Sequence, residues 1–338
     1  MIEIMKKIGE RAKFGVFLHP KILSQGFEKI KTVVNAAEKL GYDSVWVGDH
    51  LSRHLGDYRL ECWTVLSTFA VITKKIRFGS LTLSNQFRNP AVLAKMVATL
   101  DVISNGRLEF GIGTGWHKRE HQAYGLQFPK AKKRVEMLEE TIEIMEKIWT
   151  QEKASFNGHY YKIKDAMCTP KPVQQPHPPI TIGGGGTNLL KVVAKYADRW
   201  DTHGSLKHYR KKIQILKDKC EKIGRDFNQI EKSHFSEMVE VYEDYESFLN
   251  NLKERHKREM NRDVKDLYQR RVIPVSFEQW FTEIKDRSLM GTPEQIISQI
   301  QKYRSLGVSY FILRFVDPIG KRSDLEVFLN KVVKKFRC

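Results

Sequence analysis

Short apolar runs rich in β-branched and aromatic residues alternate with amphipathic stretches from Phe14 almost to the C-terminus. This alternation constrains the chain more than any other feature, because continuous apolar runs suit parallel strands covered on both faces. FGVFL (14–18), SVWVG (44–48), IRFGSLTL (76–83) and LEFGI (108–112) read as strands. So do 180–182, the strand end 200–203, EMVEVY (237–242) and YFILRF (310–315). Between them, Ile30, Val33, Val34 and Ala37 repeat at helical spacing and Gly41 ends the helix. Asn89-Pro90 gives a cap followed by Pro at the first helical position, and Thr292-Pro293-Glu294-Gln295 spells a capping box. About eight strand–helix units result.

Two architectures accept that pattern, an open doubly wound sheet and a closed (β/α)8 barrel. The 338-residue length and the unit count favour the barrel, that is, an α/β TIM barrel over 1–338 as one domain. Stretches that do not fit the rhythm, at about 116–134, 150–179 and 243–291, are expected as insertion segments at the C-terminal face of the strands. The second holds a small hairpin at 156–163 and the Pro-rich 169–179, which can be neither helix nor central strand.

Composition narrows the function classes. With 41% hydrophobic and 11% aromatic residues the chain is globular. Cys62, Cys168, Cys220 and Cys338 form no C-x-x-C pair, which argues against a disulfide scaffold or a four-cysteine zinc site. No apolar run approaches a transmembrane length, and the charged start MIEIMKKIGERAK lacks an apolar core, so a cytoplasmic protein without membrane contact is expected. The net charge of +18 raises nucleic acid as a partner, but the lysines are dispersed among glutamates on helix faces. The cluster Lys130, Lys132, Lys133, Arg134 is the main exception, and it lacks interleaved aromatic platforms. No nucleic acid partner is expected.

In a barrel the chemistry sits where strands end. These ends carry His19, then Asp49-His50, then Leu81-Thr82, then Gly113-Thr114-Gly115-Trp116, then Gly183 to Gly186, and finally Arg314. Four glycines running from a strand into a helix expose backbone N–H groups that suit a phosphate, without the Lys-Ser/Thr of a P-loop. GIGTG breaks the dinucleotide fingerprint at Trp116, leaving a tight turn or close approach of backbone to a flat ligand. His117-Lys118-Arg119-Glu120-His121 matches H-x-x-E-H, yet no third ligand is evident and no metal is expected. A histidine at a strand end, His50, can move a proton near neutral pH or simply be bonded in a loop.

Taken together, RNPAVLAKMVATLDVISNGRLEFGIGTGWHKREHQAYG (88–125), GYDSVWVGDH from Gly41, PITIGGGG, KYADRWDTHG and the final MGTPEQI and LGVSYFILRF resemble the bacterial luciferase-like family. The resemblance is to its coenzyme F420-dependent, deazaflavin branch, and it spans all but about 205–288. It implies a barrel with the deazaflavin across the strand ends and its phosphate on Gly183, Gly184, Gly185 and Gly186. It implies a non-proline cis bond at about Leu81-Thr82 behind the ring. It implies Asp49, Gly113, Thr114 and Gly115 in the cofactor site and His50 as acid/base near the reacting ring carbon. His19, Trp116 and Arg314 would then meet the substrate. Trp116 stands where the sugar-phosphate dehydrogenase branch has Glu. The expected activity is hydride transfer between F420 and a small-molecule substrate, in a homodimer. The alternative is an FMN-dependent monooxygenase fed by a separate reductase. Lys130 to Arg134 would flank the polyglutamate tail of F420.

Overall fold

The computed structural model describes residues 11–52, 59–242, 244–260, 276–315, 318–319 and 324–337. Residues 1–10 of the charged start, Cys338 and part of 243–291 therefore lie outside the described residues. Twelve strands are defined among them. They are β1 (Lys13–Phe17), β2 (Ser44–Val47), β3 (Arg77–Ser80), β4 (Leu83–Ser84), β5 (Leu108–Gly113) and β6 (Ala154–Asn157). The others are β7 (Lys162–Ala166), β8 (Ile180–Gly183), β9 (Arg199–Thr202), β10 (Glu231–Val241), β11 (Leu289–Gly291) and β12 (Val308–Phe315).

Eight of these close into a ring in the order β1, β2, β3, β5, β8, β9, β10, β12, every neighbouring pair parallel and β12 returning to β1. This is the expected (β/α)8 barrel. Helices pack their apolar stripes on its outside: Ile30, Val33, Val34 and Ala37 of Phe27–Lys39 are all buried. Asn89 caps the helix Pro90–Ile103 through the N–H groups of Ala91 and Val92, and Thr292 and Gln295 form the expected capping box.

Alternation along the strands divides the buried residues into an outer shell and an interior. Trp46, Tyr310 and Ile312 form a separate buried cluster with Phe17, Leu81 and Phe235 against it. Near the N-terminal strand ends the interior is ionic. Glu109 pairs with Arg77 and lies 2.6 Å from Arg199, which also reaches Glu231 at 2.7 Å. Burial alone would raise the Glu109 carboxyl, but Arg199 and Arg77 hold it below the ordinary range.

β10 starts six residues earlier than the sequence pattern predicts, at Glu231 rather than Glu237. Its first half carries Lys232, Ser233 and His234, polar residues that hide an apolar run, yet all three are buried. Lys232 lies over the Phe227 ring at 3.7 Å and His234 stacks on Tyr303 at 4.1 Å.

The three irregular stretches occupy different places. The helix Lys118–Ala123 lies in 116–134, following β5. The helices Tyr245–Met260 and Phe277–Lys285 follow β10 and share a small cluster of Phe248, Leu252, Met238 and Met290. Stretch 150–179 instead leaves the end of helix Ala131–Thr150, at the rim where strands begin. There Gln174 is tied to Asp101 and to the Leu108 carbonyl. The β6–β7 hairpin then climbs back along that helix, with the Tyr160 hydroxyl 2.5 Å from Glu136.

Candidate active site

Three groups of residues meet at the C-terminal rim. The first is built around the turn after β3. The Leu81–Thr82 peptide is cis, as the family resemblance implies, and β4 resumes pairing with β5 beyond it. A Cβ on Gly113 would lie 2.6 Å from Thr82 Oγ1, and one on Gly183 would lie 2.8 Å from Thr82 Cγ2. Gly113 and Gly183 therefore make room for Thr82, while Gly111 admits the Ser80 carbonyl and Gly115 the side chains of Ser84 and Gln86, closer approaches than a tight turn needs. Leu81 packs toward Phe17 and Phe235, whose rings are 5.0 Å apart.

The glycine loop forms the second group. Gly184 has φ +124, a left-handed conformation that glycine adopts freely, and its N–H donates to the Asp201 carbonyl at 2.8 Å. Trp200 Nε1 donates to the Gly184 carbonyl at 2.8 Å, which pins the loop from below. Among the described residues no acceptor is found for the N–H groups of Gly185, Gly186 and Thr187. The space above Gly185 is ringed by His208 Nε2, Thr202 Oγ1 and Lys212 Cε, each 3.3 to 3.5 Å from where a Cβ would be. Free N–H groups at the approach to helix Leu189–Tyr196, beside a lysine and a histidine, suit an anion.

The third group surrounds His50. Nδ1 of His50 lies 3.0 Å from Glu120 Oε2. Glu120 Oε1 accepts from the N–H groups of Leu51 at 2.6 Å and Ser52 at 3.0 Å. Glu120 is only 3% exposed. Burial would raise its carboxyl, yet the bonds from His50, Ser52 and Leu51 hold it below the ordinary carboxylate range. Trp116, half exposed, stands edge-on to His50 with centroids 5.6 Å apart, and His117 follows at 5.0 Å from Trp116. The H-x-x-E-H sequence is thus spent on loop contacts: Glu120 faces His50, and His121 bonds the Ser84 hydroxyl and the His117 carbonyl. Among the described residues no cluster of three or more metal-ligating groups occurs.

The remaining expected residues are placed as follows. Both carboxylate oxygens of Asp49 are engaged by Arg88 and the Ser84 N–H, so Asp49 braces the rim. Thr114 offers its carbonyl to Arg134 at 3.1 Å, and Gly115 has φ +65. The carbonyl of His19 accepts from Ile22 and Leu23 at the start of the short helix Pro20–Leu23. Arg314 donates to the Glu237 carbonyl at 2.5 Å and lies over Phe235 at 5.7 Å. Along the rim, Trp116 stands against His50, Phe17 against Phe235, and Arg314 over Phe235. Within the basic cluster, Arg134 is buried and bonds the Pro129 carbonyl, Lys132 pairs with Glu136, and Lys133 lies over the Tyr160 ring.

Sequence reasoning missed Glu120, Arg88, His208 and Lys212. Glu120 was visible as the fourth residue after Trp116, one helical turn on, but the zinc-like spacing drew attention to the histidines instead. His208 and Lys212 reach the glycine loop from helix Leu206–Lys222, and no local motif signals that approach.

Comparison with known proteins places the chain among others of this fold. A family model described as luciferase-like monooxygenase matches residues 12–310. An F420-dependent glucose-6-phosphate dehydrogenase of Amycolatopsis mediterranei is 29% identical over 315 residues, covering 87% of this chain and 89% of the relative. An F420-dependent secondary alcohol dehydrogenase solved with an F420-acetone adduct superposes with a TM-score of 0.77 at 21% identity, covering 96% and 98% of the two chains. The oxygenating constituent of 3,6-diketocamphane monooxygenase from Pseudomonas putida, solved with FMN, gives 0.75 at 17% identity, covering 97% and 98%. At such identities the structural likenesses establish the fold.

Proposed function

The chain belongs to the luciferase-like monooxygenase family, and from that premise we propose that it is a coenzyme F420-dependent oxidoreductase acting on a small organic substrate. The observation that supports this most is the glycine loop, whose N–H groups at Gly185, Gly186 and Thr187 have no acceptor among the described residues and which Lys212 and His208 border, in a chain alignable almost end to end with an F420-dependent dehydrogenase. When bound, F420 supplies two-electron hydride chemistry at its ring.

The residues present fit such a group. Gly185, Gly186 and Thr187 would hold its phosphate, with Gly183 and Gly184 shaping the loop. Leu81, Thr82 and Gly113 would back the ring, while Thr114 and Gly115 form the adjoining wall and Asp49 fixes the loop that carries His50. His50 would carry the proton that balances each hydride: it donates to a carbonyl oxygen on reduction, or takes a hydroxyl proton on oxidation. Trp116 would wall the substrate space and keep water from the reacting atoms, with His19 and Arg314 on its far sides. Glucose 6-phosphate is one substrate to test, on the name of the relative; secondary alcohols are another, because the Trp116 ring beside His50 is apolar.

A homodimer is part of this reading. The helices Cys62–Ile72 and Pro90–Ile103 expose Val71, Val92 and Ile103 at 66%, 57% and 56%, beside a groove lined by Trp63, Met96 and Met167. That apolar face fits a second copy of the chain. A place in the cytoplasm accords with it; among the described residues no helix is long and apolar enough to cross a membrane.

Following F420 absorbance with glucose 6-phosphate and with propan-2-ol tests the proposal. Cofactor reduction with either supports it. If neither reduces F420 while reduced FMN consumes oxygen on the enzyme, the monooxygenase alternative takes its place.

A further inference from the structure

We propose that Glu120 is a positioning residue that sets the tautomer of His50, so that the proton-handling atom is Nε2. Its catalytic consequence rests on the F420-dependent reading above; the tautomer itself does not.

Glu120 is buried, and its Oε1 already receives two backbone N–H groups, from Leu51 and Ser52. Those bonds favour the ionised carboxylate, which can only accept. The Nδ1 of His50, 3.0 Å from Oε2, must then be the donor. A neutral imidazole carries one N–H, so Nε2 is left with its lone pair. With a proton added, Nε2 becomes an acid while Glu120 balances the imidazolium charge. The same carboxylate thus serves both directions of a reaction that needs one proton given or taken.

The other groups facing His50 do not compete for this role. Trp116 meets it edge-on, and the His117 ring lies 6.3 Å away, with its Nδ1 3.8 Å from Glu120 Oε2. Arg88 is committed to Asp49 and Glu61. Glu120 also ties the loop after β2 to the helix Lys118–Ala123 after β5, so orientation and charge come from one contact. The substitution Glu120→Gln separates them. Its amide keeps the shape but brings an NH2 group that must face either His50 Nδ1 or the two backbone donors. Facing His50 drives the ring to the Nε2–H tautomer.

The test uses the full chain with 15N-labelled histidine, His50 being assigned from the signals lost in His50→Ala. In wild-type protein without cofactor, the neutral ring should show Nδ1–H and a bare Nε2. Nε2–H in the wild type overturns the proposal, whatever any variant does. Glu120→Gln should shift the population toward Nε2–H, whereas Glu120→Asp, which keeps the charge, should retain Nδ1–H. An unchanged tautomer in folded Glu120→Gln assigns Glu120 a merely structural role and rejects the proposal.

Turnover supplies an independent arm. Glu120→Gln should lower kcat at least tenfold in the wild-type background and less than threefold in His50→Ala. Equal losses in both backgrounds contradict action through His50. If F420 does not bind at all, the cofactor reading fails while the tautomer result still stands or falls by itself.

Discussion

Arg88 holds Asp49 by both carboxylate oxygens, Nη1 to Oδ2 at 2.8 Å and Nη2 to Oδ1 at 3.0 Å. The Asp49 side chain is fully buried in this grip. Two of the elements that build the rim, the β2 end and the segment entering helix Pro90–Ile103, are thereby locked together. His50, the next residue, gains a fixed backbone from one neighbour and a fixed ring from Glu120. Preorganisation of this kind allows one histidine to serve as acid or base without searching for its geometry.

Replacing His50 with alanine is therefore expected to lower turnover by about 10²–10⁴-fold, the usual contribution of a positioned acid/base. Affinity for F420 should change by less than about threefold if the ring, as proposed, faces substrate and not the phosphate. Steady-state kinetics with fluorescence titration separates the two effects. A near-normal turnover across pH would remove His50 from the mechanism.

The anion site is best probed at Gly185. Gly184 is in a left-handed conformation, so a side chain there would strain the backbone as well as block a ligand. Gly185 is not, and the nearest atoms to a Cβ on it, from His208, Thr202 and Lys212, are 3.3 Å or more away. Gly185→Asp should weaken F420 binding more than tenfold, above about 1.4 kcal/mol, with an unchanged circular dichroism spectrum. Unaltered affinity would place the phosphate elsewhere.

Much of this was legible in the sequence, for identifiable reasons. Parallel strands covered on both faces must be apolar throughout, so the barrel could be counted off, and strand ends then located the rim. The cis peptide at Leu81–Thr82 came from resemblance alone, and nothing in local composition spells it. The function of the GIGTG glycines was not legible, because the residues they yield to, Ser80, Thr82, Ser84 and Gln86, lie in the neighbouring segment about thirty residues earlier. The beginning of β10 was hidden for a related reason: Lys232, Ser233 and His234 look like surface, and the latter two meet partners distant in sequence, Asp201 and Tyr303.

The proposed phosphate site distinguishes two basic patches. Lys212 and His208 border the glycine loop, whereas Lys132 and Lys133 are engaged by Glu136 and Tyr160. Lys212→Ala should weaken F420 several-fold at low salt, with the loss shrinking as salt approaches physiological strength, where exposed charges are screened over about 8 Å. Neutralising Lys130, Lys132 and Lys133 together should do less. The opposite ranking in paired titrations would move the anionic tail to the latter patch.

Asp201 offers a test of the interior by pH. Its carboxyl is 5% exposed and accepts from the Ser233 hydroxyl at 2.7 Å, and burial pushes it up to about 7. A raised carboxyl keeps its proton in the folded protein after the unfolded chain has lost it, near 3.9. Its contribution to stability is then complete below about pH 3.9 and is lost as pH rises through about 7. Asp201→Asn keeps an acceptor for Ser233 and abolishes the titration. Urea denaturation should show the variant gaining on wild type by about 1–3 kcal/mol between pH 5 and pH 8. A difference independent of pH would mean that Asp201 is ionised throughout.

The most direct test of the central claim is a competitive titration of the purified full-length chain with F420 and FMN, followed by the fluorescence of each ring. The account predicts saturable F420 binding at least tenfold tighter than FMN, and its loss in Gly185→Asp. Preferential binding of FMN, or no binding of F420, would contradict it.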